Sequence, residues 1–124
     1  MNPLRILLID DQVGVTRLLS LALQRTGRYT VREENDSTRA VNTALEFAPE
    51  MIFCDIDMPK VDGGEVARRI RGHSALSHVP IVFLSTLVTA DNQNQTGGFP
   101  MLSKPVSLAA IERTIIEQTA AVVS

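Results

Sequence analysis

The chain has 124 residues, 44% of them hydrophobic and 21% charged, with 12 basic against 14 acidic side chains. That is the size and balance of one domain that buries a core without disulfides or a structural metal, and the small acidic excess argues against nucleic acid as a direct partner. The lone Cys54 excludes an internal disulfide, no apolar run reaches the length of a membrane span, and Arg5 and Asp10 bracket the first apolar run too closely for a secretory signal, so no membrane insertion and a cytoplasmic location are expected.

Leu4 to Ile9 is apolar apart from Arg5 and too short for a helix, so it reads as a buried strand ended by Asp10-Asp11-Gln12. Val15, Leu18, Leu19, Ala22 and Leu23 recur at helical spacing, with Gly27 as the stop. Tyr29 to Arg32 fits a second strand. Asn35, Asp36 and Ser37 offer caps for a second helix, whose apolar positions are Ala40, Val41, Ala44, Leu45 and Ala48; Pro49 closes it. Met51 to Cys54 is a strand apolar on both faces and ends at Asp55. Asp62-Gly63 caps a third helix through Val66, Ala67 and Ile70, with Arg68, Arg69 and Arg71 as its solvated face. Pro80 to Leu84 is the fourth strand, and Leu102 lies in a short fifth. Ser107 caps a closing helix over Val106 to Val122, with Leu108, Ile111, Ile115 and Ala120 on its apolar face.

Strands alternating with helices specify a parallel sheet covered on both faces. Right-handed crossovers place every strand's carboxyl end on one edge, where open α/β sheets bind ligands. The polar residues that interrupt the pattern fall at that edge: Asp10 and Asp11 after the first strand, Asp55 after the third, Ser85 after the fourth and Lys104 after the fifth. Each alone has a plainer reading, as a cap, a loop residue or a surface charge. No rule of strand or turn chemistry asks for the whole set, and this joint placement indicates a site.

Two carboxylates about 6 Å apart repel by roughly 3 kcal/mol at an effective dielectric near 20. A divalent cation removes that cost, and an all-oxygen ligand set suits Mg²⁺. His73, His78 and Cys54 do not form a zinc spacing. Lys104 supplies a mobile positive charge and Ser85 a hydroxyl donor. With Asp55 as a carboxylate nucleophile, these parts describe phosphoryl transfer to aspartate.

Ile9-Asp10-Asp11, Asp55-Ile56-Asp57-Met58-Pro59 with Asp62-Gly63, Pro80 to Ser85, and Lys104-Pro105 together resemble the receiver domains of bacterial two-component response regulators. The resemblance covers nearly the whole chain. It implies a flavodoxin-like (βα)5 fold with a five-stranded parallel sheet of order 2-1-3-4-5. It implies Asp55 as phosphoacceptor, Asp10 and Asp11 as the acidic pair that holds Mg²⁺, and the backbone carbonyl of Asp57 as a further metal ligand. Ser85 matches the switch hydroxyl, Lys104 the lysine that pairs with the phosphoryl group, and Lys104-Pro105 the family's cis bond. The implied partners are a sensor histidine kinase or phosphotransfer protein, which supplies phosphohistidine, and an unspecified downstream protein. A single receiver domain over 1–124 is expected, catalysing only its own phosphorylation and dephosphorylation; what lies beyond Ser124 is left open.

Two departures stand out. The family usually has an aromatic residue three positions before the lysine; here that position is Met101, with Phe99 two residues earlier. Thr89 to Gly98 is polar and poor in helix formers, so the fourth helix is expected to be short or disordered. The altered switch region motivates an alternative, a pseudo-receiver that binds partners without phosphorylation; the complete acidic set with Ser85 and Lys104 argues against it. Asp55-Ile56-Asp57 also superficially matches the nucleophile motif of haloacid-dehalogenase-like phosphatases, but that family places its metal-binding acidic pair later in the chain, and here the pair comes first.

Overall fold

Each apolar run does form a strand, and the three central strands are buried on both faces. The computed structural model describes residues 2–86 and 98–123, with the backbone alone for 120–123. The strands are β1 (Leu4–Ile9), β2 (Tyr29–Glu34), β3 (Met51–Asp55), β4 (Ile81–Ser85) and β5 (Met101–Ser103). The helices among the described residues are α1 (Val13–Arg25), α2 (Ala40–Phe47), α3 (Gly63–Arg71) and α4 (Leu108–Val123), with a 3-10 turn over Ser37–Arg39 ahead of α2. All five strands are parallel, in the order β2-β1-β3-β4-β5. This is the doubly wound flavodoxin-like sheet expected from the sequence. The expected short or disordered fourth helix falls on residues 87–97, outside the described residues, as does the side chain of Ala120.

Strand alternation divides the core in two. Leu7, Ile9, Ile52, Cys54, Ile81 and Phe83 pack under α2 and α3. Ile6, Leu8, Met51, Phe53, Val82 and Leu84 pack against Leu19 and Leu23 of α1 and Ile111 and Ile115 of α4. β3 sits at the centre of the sheet with every residue buried, so Asp55 rises from a strand packed on both faces. Cys54 is buried and free, as expected of a small core residue, and its burial pushes the thiol pKa up.

The helix ends follow local chemistry. Gly27 takes a φ of 77° just beyond α1, where only glycine is unstrained. Asp62 caps α3 by accepting the Glu65 amide at 2.9 Å. Ser107 caps α4 by accepting the Ala110 amide at 3.1 Å. β2 runs two residues past the expected Arg32, because Glu33 and Glu34 pair in register with Leu8 and Ile9. Of the three residues read as caps for α2, Asp36 alone caps: it accepts the Thr38 amide at 3.0 Å and starts the 3-10 turn. Asn35 and Ser37 send their side chains elsewhere.

Candidate functional site

The carboxyl edge gathers the acidic residues as the topology requires. β1 and β3 are neighbours, with Ile9 in register with Cys54, so Asp10 and Asp55 project from adjacent strand ends. Oxygens of Asp10, Asp11 and Asp55 lie within 4.8 Å of one another. Asp10 is 1% and Asp55 5% exposed, while Asp11 is half-buried at the rim. An all-oxygen cluster with two buried carboxylates fits a hard divalent cation, whose ligand oxygens must lie this close together.

Every polar atom of Asp10 has a partner. Its amide donates to the Glu34 carbonyl at 3.1 Å, and its carbonyl accepts the Asn35 side-chain amide at 2.8 Å. One carboxylate oxygen accepts the Gln12 amide at 3.0 Å and the other accepts Lys104 Nζ at 2.7 Å. Lys104 Nζ lies farther from Asp55, 3.4 Å from its Oδ1. Burial works against the Lys104 ammonium, but its hydrogen bond to Asp10 and the charges of Asp10 and Asp55 outweigh that and raise its pKa. Lys104 is therefore a cation in the cleft. The Lys104-Pro105 bond is cis.

Asp55 behaves differently. Burial first, then the neighbouring charge of Asp10, push its pKa up to about 6, although Lys104 and a hydrogen bond from the Asp57 amide pull the other way. The same raised value means that added positive charge in the cleft stabilises its ionised form. Asp57 itself is exposed. Ser85 ends β4 one residue past Leu84, the register partner of Asp55. The Ser85 carbonyl accepts the Lys104 amide at 2.8 Å, which ties the lysine's backbone to the same strand end. Phe99 packs edge-on against Phe83, ring centroids 5.4 Å apart, and the Arg71 guanidinium lies over the Phe99 ring, 5.3 Å from its centroid.

Thus Asp10, Asp11, Asp55 and Lys104 come together as the sequence indicated, with Asp57 and Ser85 beside them. The sequence marked Gly63 as part of the Asp62-Gly63 cap but did not reveal its contact with the Asp55 strand end. A β-carbon there would meet the Ile56 Cα at 2.7 Å and lie closer still to the Asp55 carbonyl oxygen, and the Gly63 amide donates to the Ile56 carbonyl at 2.8 Å. α3 thus begins in backbone contact with the phosphoacceptor candidate. The tandem Gly63-Gly64 at a helix start, where glycine is a poor helix former, was the available signal.

Residues 6–116 match the family model described as the response regulator receiver domain. Response regulator Rre1 of Synechocystis is 31% identical over 93% of this chain and 52% of its own length. Polar-differentiation response regulator DivK of Brucella anthropi is 26% identical over 91% of this chain and 94% of its own. Several of the curated relatives it matches are much longer: the chain spans about half of Rre1 and 43% of the Synechocystis regulator RpaA. The receiver domain of sensor histidine kinase PA1611 from Pseudomonas aeruginosa superposes with a TM-score of 0.82 at 26% identity, covering 96% of this chain and 99% of that one. That structure holds a magnesium ion in its active site cleft.

Proposed function

The chain belongs to the response regulator receiver family of two-component signalling, and from that premise we propose that it is a phosphorylation switch whose acceptor is Asp55. The observation that carries this reading is the cleft itself: a buried carboxylate at the end of the central strand, a second carboxylate from the adjacent strand, and a lysine between them.

Asp10 and Asp11, with Asp55 and the Asp57 carbonyl, would hold Mg²⁺. When bound, the ion offsets the repulsion among the carboxylates and the incoming phosphoryl oxygens. The Asp55 carboxylate oxygen attacks phosphorus of a phosphohistidine on a sensor kinase or phosphotransfer protein. The P–N bond breaks, the imidazole leaves with the electron pair and takes up a proton, and an acyl phosphate remains on Asp55. Lys104 then pairs with a phosphoryl oxygen, and the Ser85 hydroxyl donates to another. Water later attacks phosphorus and returns Asp55 and inorganic phosphate. The protein carries out only this self-directed cycle and does not turn over phosphate esters.

A protein donor suits the surface beside the cleft. Leu18 is 71% exposed and Val13 and Leu21 are each 56% exposed along α1. A groove of about 340 Å³ runs from Val15, Leu18 and Leu19 to Lys104, Pro105 and Val106. Apolar side chains leading up to a charged cleft fit a helical protein surface that carries phosphohistidine.

The test is incubation with acetyl phosphate and Mg²⁺, read by intact mass. A gain of one phosphoryl group that Asp55→Asn abolishes is expected. No gain, or a gain that persists in Asp55→Asn, overturns the assignment and favours a phosphorylation-independent interaction module.

A further inference from the structure

The loop between β2 and α2 reaches both acidic loops of the cleft, through two side chains with only Asp36 between them. Asn35 comes first. Its side-chain amide donates to the Asp10 carbonyl at 2.8 Å and to Thr16 Oγ1 at 2.9 Å. Thr16 is buried and its hydroxyl donates to the Val13 carbonyl at 3.1 Å, in the first turn of α1. The Asp10 carbonyl belongs to the peptide that joins Asp10 to Asp11. Fixing that oxygen fixes the plane of the peptide and therefore the direction in which the Asp11 side chain leaves the backbone.

Ser37 acts on the other loop. Its buried hydroxyl donates to the Pro59 carbonyl at 2.8 Å and accepts the Val61 amide at 3.2 Å. The same Val61 amide reaches the Pro59 carbonyl at 2.8 Å, which closes a three-residue turn around Lys60. Lys60 sits at a φ of 71°, a conformation that a non-glycine residue holds only when its surroundings enforce it. Ser37 engages both ends of that turn. The turn in turn follows Asp57, two residues beyond the end of β3.

We propose that Asn35 and Ser37 are positioning residues of the acid cleft, a two-point clamp that sets the spacing of the Asp10–Asp11 and Asp55–Asp57 loops for a divalent cation. The inference rests on the reading of the cleft as a Mg²⁺ and phosphoryl site and adds the residues that hold it in shape. The physical reason for such a clamp is that Mg²⁺ tolerates little departure from octahedral geometry at about 2.0–2.1 Å, so loops that drift relative to one another lose affinity. The core fixes the strand ends, yet Asp11 and Asp57 each lie two residues beyond them, where loop contacts hold the chain. Both side chains sit where a capping residue is expected, and neither caps α2. Their hydrogen-bonding capacity is spent on the cleft instead.

The test compares Asn35→Ser, Ser37→Ala and Ser37→Thr with the unaltered chain, by calorimetric titration with Mg²⁺ and by amide NMR in EDTA. Asn35→Ser keeps a hydroxyl too short to reach Asp10, and Ser37→Thr keeps the hydroxyl in place. Asn35→Ser and Ser37→Ala are each expected to weaken Mg²⁺ binding roughly 10-fold, the usual scale for groups that orient metal ligands. Ser37→Thr restores the affinity. In EDTA, Asn35→Ser moves the Asp11 amide signal and Ser37→Ala moves that of Val61. Folded variants with unchanged affinity, or a Ser37→Thr as weak as Ser37→Ala, overturn the clamp while leaving the site intact. An unaltered chain that takes up no Mg²⁺ overturns the site and the clamp with it.

Discussion

At the amino-terminal edge of the sheet Arg5 pairs with Glu50 and Arg28 with Glu112, each cation facing one carboxylate with both side chains partly in water. At the carboxyl edge Asp10 and Asp55 face the Lys104 ammonium, whose side chain is 11% exposed, and Asp11 adds a third carboxylate to the cluster. The exposed one-to-one pairs are screened and lie at their own minimum, so they contribute little and respond to little. The buried cluster is held in place by the core beneath it and carries more negative charge than Lys104 cancels. That imbalance makes it responsive to an added cation or to the −1.5 to −2 or so of charge that a phosphoryl group brings. The same sheet thus carries a finished edge and an unfinished one, and substitutions at each should differ in size and in their dependence on Mg²⁺.

The largest effect is expected at Lys104. Lys104→Met keeps the length of the side chain and leaves Asp10 buried without its cation. Urea denaturation in EDTA should show a loss of about 3 kcal/mol, the scale for breaking a buried pair from one side. Mg²⁺ should restore much of it, and Mg²⁺ affinity should rise because the ion no longer competes with an internal ammonium. Equal losses with and without Mg²⁺ would remove the contrast between the two edges.

Asp55→Asn should act in the opposite direction. The folded pKa of Asp55 is raised to about 6 from an ordinary 3.8, so between these values the folded protein binds more protons than the unfolded chain. Stability attached to this group is present below pH 4 and falls as pH rises through about 6. Replacing the charge by a neutral amide should therefore stabilise the cation-free protein at neutral pH by roughly 2–3 kcal/mol and flatten that part of its pH dependence. Mg²⁺ should reverse the order, since it favours the ionised carboxylate. Thermal denaturation of both proteins across that pH range, in EDTA and in Mg²⁺, checks the sign.

Gly63→Ala tests how far the cleft depends on backbone contact alone. The new methyl meets main-chain atoms of Asp55 and Ile56, which cannot swing aside like a side chain. A loss of about 1–3 kcal/mol is expected, together with weaker Mg²⁺ binding, because Asp55 must shift to admit the methyl. Gly64→Ala is the control: there a β-carbon would meet only the Asp62 side chain, at 3.3 Å. A Gly63→Ala protein with unchanged affinity would show that the Asp55 backbone can give way without cost to the site.

These cases also show what the sequence could convey. Asp10, Asp55 and Lys104 were legible because each breaks an apolar run at a strand end, and parallel topology brings such ends together. The extension of β2 to Glu34 was not, because acidic residues disfavour strands and the stabilising partners, Thr43 and the Asp36 amide, lie in the following segment. Asn35 and Ser37 carry the same local signal as Asp36. Only the positions of Asp10 and Pro59, distant in sequence, decide which of the three side chains caps and which cross to the cleft. The preference of Lys104 for Asp10 over Asp55 is a difference of 2.7 against 3.4 Å that no residue pattern encodes.

The smallest effect belongs to the finished edge, and Glu112→Gln measures it. Glu112 accepts from Arg28 and from the Tyr29 hydroxyl, the latter at 3.2 Å. The pKa of Tyr29 is raised, first by burial; the hydrogen bond with Arg28 lowers it, and the charge and hydrogen bond of Glu112 raise it. Removing the Glu112 charge should let Tyr29 ionise at lower pH, while burial keeps it above the ordinary phenol value. Tyr29 is the one tyrosine in the chain, so an ultraviolet phenolate titration reads it without interference from another. The midpoint of denaturation should barely move, since Arg28 regains water when it loses its partner. Mg²⁺ affinity should be unchanged, because the rigid strands between the two edges offer no second arrangement through which a surface pair could act on the cleft. A Glu112→Gln protein with altered Mg²⁺ binding would show that the two edges are coupled through the sheet.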